Sequence, residues 1–111
     1  MNEKVLELEM SKPLIVSIPH SLRKKEALRR LKAGMERVIA HVPLMKVEEQ
    51  TWSGDRMTFR ASALGQVAAG TIDVGESEVR LELTLPWMLK SFAQMVQDAF
   101  SQRTRRLLEN R

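Results

Sequence analysis

The sequence predicts an α+β fold, a two-layer sandwich in the order β-α-β-β-β-β-α with an antiparallel sheet covered by two helices. Four strand-length segments with alternating apolar and polar residues fill positions 45–85. Only short turns separate them, which favours antiparallel neighbours. Two amphipathic helical segments flank this region, and an antiparallel sheet with one apolar face needs such a cover. A chain of 111 residues can build one core of this kind.

Residues 14–42 predict the first strand and the first helix. The β-branched run 14–18 ends at Pro19 and is typical of a strand. Ser21 follows the turn at His20 and is predicted to cap the helix. Apolar residues then recur at helical spacing up to Pro43, which ends the helix. The stripe consists of Leu28, Leu31, Met35, Val38, Ile39 and Val42.

The sheet and second helix follow from residues 45–108. Turn signals at residues 53–55, 65–66 and 75–77, the first containing Gly54, divide the strands. Residues 79–85 form the cleanest alternating strand, and Pro86 with Trp87 marks the corner into the last helix. The domain prediction is a flexible N-terminal arm or edge strand over residues 1–12 and a single α+β domain over residues 13–111.

Composition narrows the function classes. Cysteine is absent, so thiolate chemistry and cysteine-based zinc sites are excluded, and a reducing cytoplasm is the expected location. The net charge is +4, but acidic and basic residues are interleaved. With three Phe, two Trp and no Tyr, the chain has little material for stacking bases, so nucleic acid is an unexpected partner. No apolar run reaches the roughly 20 residues of a membrane span.

No residue set predicts catalysis or a metal site. His20 and His41 are the two histidines, lie far apart, and have no metal-ligand spacing. His20 is interpreted as a turn or capping residue. Strict alternation would bury Glu49 with Met45, whereas a bulge between Glu48 and Thr51 would expose Glu49 and turn Trp52 inward; the bulge, or simple exposure of Glu49, is favoured.

Two sets of residues are candidates for binding. Ala68 and Gly70 are small and leave space above the sheet, so they are predicted, with Trp52 and Phe92, to line a ligand site. Trp52 is expected in the core or at a dimer contact. The second set is basic: Arg23, Arg30 and Arg37 recur every seven residues, and residues 103–111 are strongly basic. These positions form an anionic-surface footprint only if the fold makes them contiguous.

The order and spacing of several short motifs resemble one known family. The motifs are Ile18-Pro19-His20-Ser21-Leu22, Trp52-Ser53-Gly54-Asp55, Gly70-Thr71-Ile72-Asp73-Val74 and Leu85-Pro86-Trp87. Over roughly residues 14–108 the chain resembles the polyhydroxyalkanoic acid system family, small bacterial proteins encoded near polyester synthase and granule genes. The resemblance implies a link to polyhydroxyalkanoate granules, and it supplies no catalytic residue. The layout also looks like a reduced helix-grip fold.

The favoured function is therefore a non-enzymatic accessory protein of the polyhydroxyalkanoate system, which binds a hydrophobic surface, an acyl ligand or a protein partner. One alternative is a small carrier that holds a lipid-type ligand between sheet and helices. Another is a regulatory protein that binds nucleic acid through the arginine row and basic tail. No cofactor is expected, and the partners are a second copy of the chain, the granule surface or granule proteins.

Overall fold

The computed structural model describes residues 13–109 and confirms the α+β class. Five antiparallel strands form one sheet in the order β1-β5-β4-β3-β2. The predicted N-terminal arm lies outside the described residues. The elements are β1 (Pro13–Pro19), α1 (Lys24–Ala40), β2 (Met45–Ser53), β3 (Arg56–Ala63), β4 (Gln66–Val74), β5 (Glu78–Thr84), a 3₁₀ helix (Trp87–Phe92) and α2 (Ala93–Leu107).

One hydrophobic core lies between the sheet and the two helices. Alternate residues of the strands point into it, as the burial pattern of β3 and β5 shows. Its largest fully buried side chains come from both layers, with Ile18, Met57 and Leu83 on the sheet and Leu31, Met35 and Phe100 on the helices. The outer face of the sheet is mostly polar, so the helices cover only the inner face. No helix within residues 13–109 has the length and apolar character needed to cross a bilayer.

The start of α1 differs from the prediction. The N-cap is Arg23, which makes no side-chain capping bond, so the prediction that Ser21 caps the helix was wrong. The His20 ring occupies the turn instead, because its Nδ1 accepts the Leu22 backbone N–H at 3.2 Å. A turn that is already bonded by a side chain delays the helix to Lys24.

The chain enters α2 through a 3₁₀ helix rather than directly. Pro86 has φ −55°, a value its ring imposes, and precedes the 3₁₀ segment Trp87–Phe92. The α-helix proper begins at Ala93. The predicted corner therefore exists, with an extra tight segment between strand and helix; the Trp87 side chain lies outside the described part of the structure.

The predicted bulge in β2 is confirmed one position earlier than expected. The register of β2 on β3 shifts between Val47 and Glu49. Beyond the shift Trp52 is half-buried against the core, and Glu49 is exposed and pairs with Arg60, its Oε1 2.9 Å from Nη2. One extra residue reverses the faces of the strand, which resolves the conflict between the two alternations.

We expect Thr104→Val to stabilise the protein by about 1 kcal/mol. Thr104 is fully buried on α2, and its hydroxyl oxygen has no hydrogen-bond partner among the described residues. Valine has the same shape and a similar helix propensity, and it removes the unpaired polar atom. Urea unfolding measures the change. Thr58→Val, at an exposed position of β3, is the matched control with no effect expected; a destabilised Thr104→Val variant would contradict the prediction.

Candidate functional site

The space between sheet and helices is filled. Two small apolar voids of about 10 Å³ each lie there. Each has room for about one water molecule, whereas ligand pockets measure roughly 300–1,000 Å³. Neither void has room for a lipid-type ligand.

The four predicted ligand residues do not converge. Gly70 and Ala68 are buried in β4, and the space above Gly70 is taken by the Phe59 ring on the neighbouring strand. Trp52 lies near the end of β2, and the Lys32 ammonium sits 5.7 Å from its ring centroid. Phe92 lines a void together with Met45, at the other end of the same strand. Seven residues of strand, roughly 23 Å, separate Met45 from Trp52.

The residues of the predicted structural motif mostly hold turns. The His20 Nε2–H donates to the Gly75 carbonyl oxygen at 3.0 Å, so the ring ties the β1–α1 turn to the β4–β5 turn. Pro19 is the last residue of β1 and stands opposite Glu78. Gly54 has φ +60° in the exposed β2–β3 turn. Since both ring nitrogens of His20 are bonded to backbone, the histidine has a structural role.

One end of the molecule carries a concentration of exposed apolar side chains. The α1–β2 loop, the end of β3 and the 3₁₀ helix share a small void there, and the β3–β4 turn follows directly from that end of β3. Six large apolar side chains of the described residues are exposed, and five of them lie at this end. We call this surface the apolar end; its exposed members are Leu44, Leu64, Val67, Met88 and Met95. This end of the molecule is therefore the candidate interaction surface.

Two of these exposed residues have a strained backbone conformation. Leu44 has φ +70° and is 48% exposed, and Leu64 has φ +51° and is 60% exposed. These are the two non-glycine residues with positive φ in the described chain. Leucine in this region costs roughly 1–2 kcal/mol relative to glycine. A strained backbone that also exposes an apolar side chain is doubly unfavourable for the isolated fold, so the two leucines are candidates for a functional role.

Charges of both signs lie near the apolar end. Lys46 and Lys90 lie in or next to its segments, and the Glu48 carboxylate accepts a hydrogen bond from Ser62, the residue opposite Val67. The turns at the opposite end of the sheet contain Asp55, Glu76 and Glu78. Lys24 and Arg56 lie at that end as well, and Lys24 pairs with Asp55, so the two ends differ in apolar exposure rather than in the sign of their charge.

The arginine row and the basic tail are partly contiguous. Arg30 lies against the end of α2, where its Nη1 donates to the carbonyl oxygens of Leu107, at 3.3 Å, and of Glu109. Arg30 also binds Glu26, and hydrogen bonds from Arg29 and Arg30 lower the pKa of Glu26 from 4.5 to about 2. Arg37 lies with Arg103 and Arg106 in a cleft between the helices. No group of three or more acidic or histidine side chains within residues 13–109 could hold a metal ion.

The apolar end escaped the sequence reasoning, although one signal for it was present. Residues 64–65 form a two-residue β-turn in which both φ values are positive, +51° at Leu64 and +77° at Gly65. Such turns strongly favour Asn-Gly or Asp-Gly. Leucine before glycine between two alternating strands is therefore an anomaly that can be seen in the sequence. Leu44 offers no comparable signal.

The fold and these surfaces define a small α+β protein with a filled interior and its recognition features on the outside. The chain belongs to the polyhydroxyalkanoic acid system protein family, whose family model matches residues 14–108. No curated protein matches it significantly, and neither does any solved structure. The resemblance seen in the sequence is confirmed.

Proposed function

We propose that this protein is a non-enzymatic accessory protein that binds the surface of polyhydroxyalkanoate granules through its apolar end. The exposed Leu44 and Leu64, each held out by positive φ, are the observation that carries the proposal. Membership of the polyhydroxyalkanoic acid system family supports a polyester granule as the apolar surface. Granule association of this kind fits a cytoplasmic location.

The geometry suits adsorption at an interface. Apolar side chains enter the surface, and each leucine removed from water contributes about 1.5–3 kcal/mol. Lys46 and Lys90 flank the apolar end and are attracted to anionic groups on the surface. The turns at the far end, which carry charges of both signs, then face water.

Co-sedimentation with poly(3-hydroxybutyrate) particles in excess albumin tests the proposal. We expect the wild-type protein to pellet with the particles, and a Leu44→Ser/Met88→Ser variant to bind at least tenfold more weakly, since two apolar anchors are lost. Ile15→Thr is the matched control, because Ile15 is 48% exposed, the same fraction as Leu44, but lies on β1.

Two results would contradict surface binding. One is recovery of the wild-type protein in the supernatant alone. The other is equal binding by the wild-type and double-serine proteins. Circular dichroism confirms that each variant is folded.

The homodimer stays a prediction. Strands β1 and β2 are the two edges of the described sheet, and edges of this kind can pair with a second chain. Sedimentation equilibrium decides the oligomeric state directly.

A further inference from the structure

A cleft of about 300 Å³ lies between the two helices on the side away from the sheet. We call it the cationic cleft. Four basic side chains form its rim, Arg37 and His41 from α1 and Arg103 and Arg106 from α2. Three uncharged residues form its floor: Gly34, Val38 and Leu107. None of the described residues that line it is acidic.

Close packing of the helices builds the cleft. A Cβ at Gly34 would lie 2.6 Å from Cδ2 of Leu107, so the missing side chain lets Leu107 rest on the backbone of α1. The bonds from Arg30 to the Leu107 and Glu109 carbonyl oxygens hold the end of α2 in place. The basic side chains thus stand on two helices whose relative position is fixed.

Within residues 13–109, the three arginines of the rim have no carboxylate partner. Salt bridges elsewhere in the described structure engage Lys24, Arg29, Arg30, Arg56 and Arg60. No ion pair of residues 13–109 includes Arg37, Arg103 or Arg106. Another hollow, of about 340 Å³ on the outer face of the sheet, contains Arg56, but Asp73 binds that guanidinium in a bidentate pair.

The helix dipoles explain only part of this arrangement. Arg37 and Arg106 lie in the last turns of α1 and α2, where a positive charge is favourable by about 0.3–1 kcal/mol. Arg103 lies one turn earlier on α2 and adds a third positive charge to the same cleft. Guanidinium groups on the rim of one cleft repel one another, and an anion bound between them offsets that repulsion while it accepts their hydrogen bonds.

We propose that the cationic cleft binds a phosphate-type oligoanion, a pyrophosphate or phosphate ester with two or more negative charges. Guanidinium groups bind phosphate oxygens in a fork geometry that a single lysine cannot provide. The apolar floor of Val38 and Leu107 accommodates a short hydrocarbon portion of the ester. Among the described residues that line the cleft there is no Phe, Tyr or Trp, and the His41 imidazole is the one ring, so the site offers little surface for stacking bases.

Titration calorimetry with inorganic pyrophosphate at low salt tests the proposal. We expect saturable binding by the wild-type protein and a loss of about tenfold or more in affinity for Arg103→Gln and Arg106→Gln, because each removes a charge-assisted bond. Arg105→Gln is the matched control, since Arg105 is exposed on the same helix but does not line the cleft. All three variants change the net charge equally.

The variants distinguish binding at the cationic cleft from a non-specific attraction of anions to a basic protein. Loss that is confined to Arg103→Gln and Arg106→Gln supports the site. Absence of pyrophosphate binding overturns the site, and so does an equal loss of affinity in Arg105→Gln. The site is also overturned if a mixed-sequence oligonucleotide binds far more tightly than pyrophosphate and its binding depends equally on all three arginines.

Vesicles distinguish the sources of the phosphate group. Phosphatidylglycerol vesicles that bind the protein and are displaced by pyrophosphate support a lipid headgroup as the ligand. Binding of pyrophosphate without binding of the vesicles supports a soluble phosphate ester. The Leu44→Ser/Met88→Ser variant keeps its pyrophosphate affinity if the cleft acts by itself, so failure of granule binding and failure of this proposal are distinguishable.

Discussion

Gly70→Ala is expected to destabilise the protein by about 3 kcal/mol. A Cβ at Gly70 would lie 2.7 Å from Cζ of Phe59 and 2.8 Å from the backbone oxygen of Glu82. The ring can move only against a filled core, and the carbonyl belongs to β5, which pairs with β4 on that side. Urea unfolding should show a lower midpoint with an unchanged slope.

Two further variants identify the cause. Phe59 and Gly70 are directly opposite each other on β3 and β4, and the ring covers the glycine. Phe59→Leu in the Gly70→Ala background should recover part of the loss, because it relieves the ring contact and leaves the carbonyl contact. Ala69→Ser changes the exposed neighbour on the same strand and should have little effect. A Gly70→Ala protein as stable as wild type would show that β4 and β5 do not approach this closely.

Leu64→Asn is expected to change stability and granule binding in opposite directions. Asparagine tolerates positive φ and converts the turn to Asn-Gly, so the free energy of unfolding should rise by about 1 kcal/mol. The same change removes the side chain that is 60% exposed at the apolar end, and affinity for polyester particles should fall about tenfold. Thermal unfolding and co-sedimentation measure the two effects.

Leu64→Met is the matched control because it keeps both the apolar character and the positive φ. It should leave stability and binding close to wild type. Leu44→Asn tests the second strained leucine in the same way, and its stabilisation should add to that of Leu64→Asn, since the two residues lie in different loops. A less stable Leu64→Asn protein would contradict the strain argument, and undiminished binding would contradict the role of the apolar end.

A stabilising change that impairs binding would explain why leucine stands in this turn. Proteins commonly give up stability where function requires an unfavourable residue. Because the two expected effects have opposite signs, unfolding cannot explain a loss of binding: a variant that is more stable than wild type remains folded.

The sequence by itself determined the elements and the layers. Alternation along residues 45–85 and helical spacing in α1 and α2 are local patterns, and the hydrophobic effect turns them directly into buried faces. The bulge near Glu49 was also predictable, because Val47 and Trp52 could not both face inward without it. The family resemblance rested on short local motifs of the same kind, most of them at turns.

Only the tertiary structure decided which surfaces exist. The pairing of β1 with β5, the filling of the space above Gly70 by Phe59, and the meeting of Arg37 with Arg103 and Arg106 join residues far apart in the chain. The same holds for the apolar end, where loops separated by strands come together. The periodicity of the sequence predicts which way a side chain faces within its own strand or helix. The neighbours of that side chain from other elements depend on the packing of the whole chain. The function proposed here depends on those neighbours.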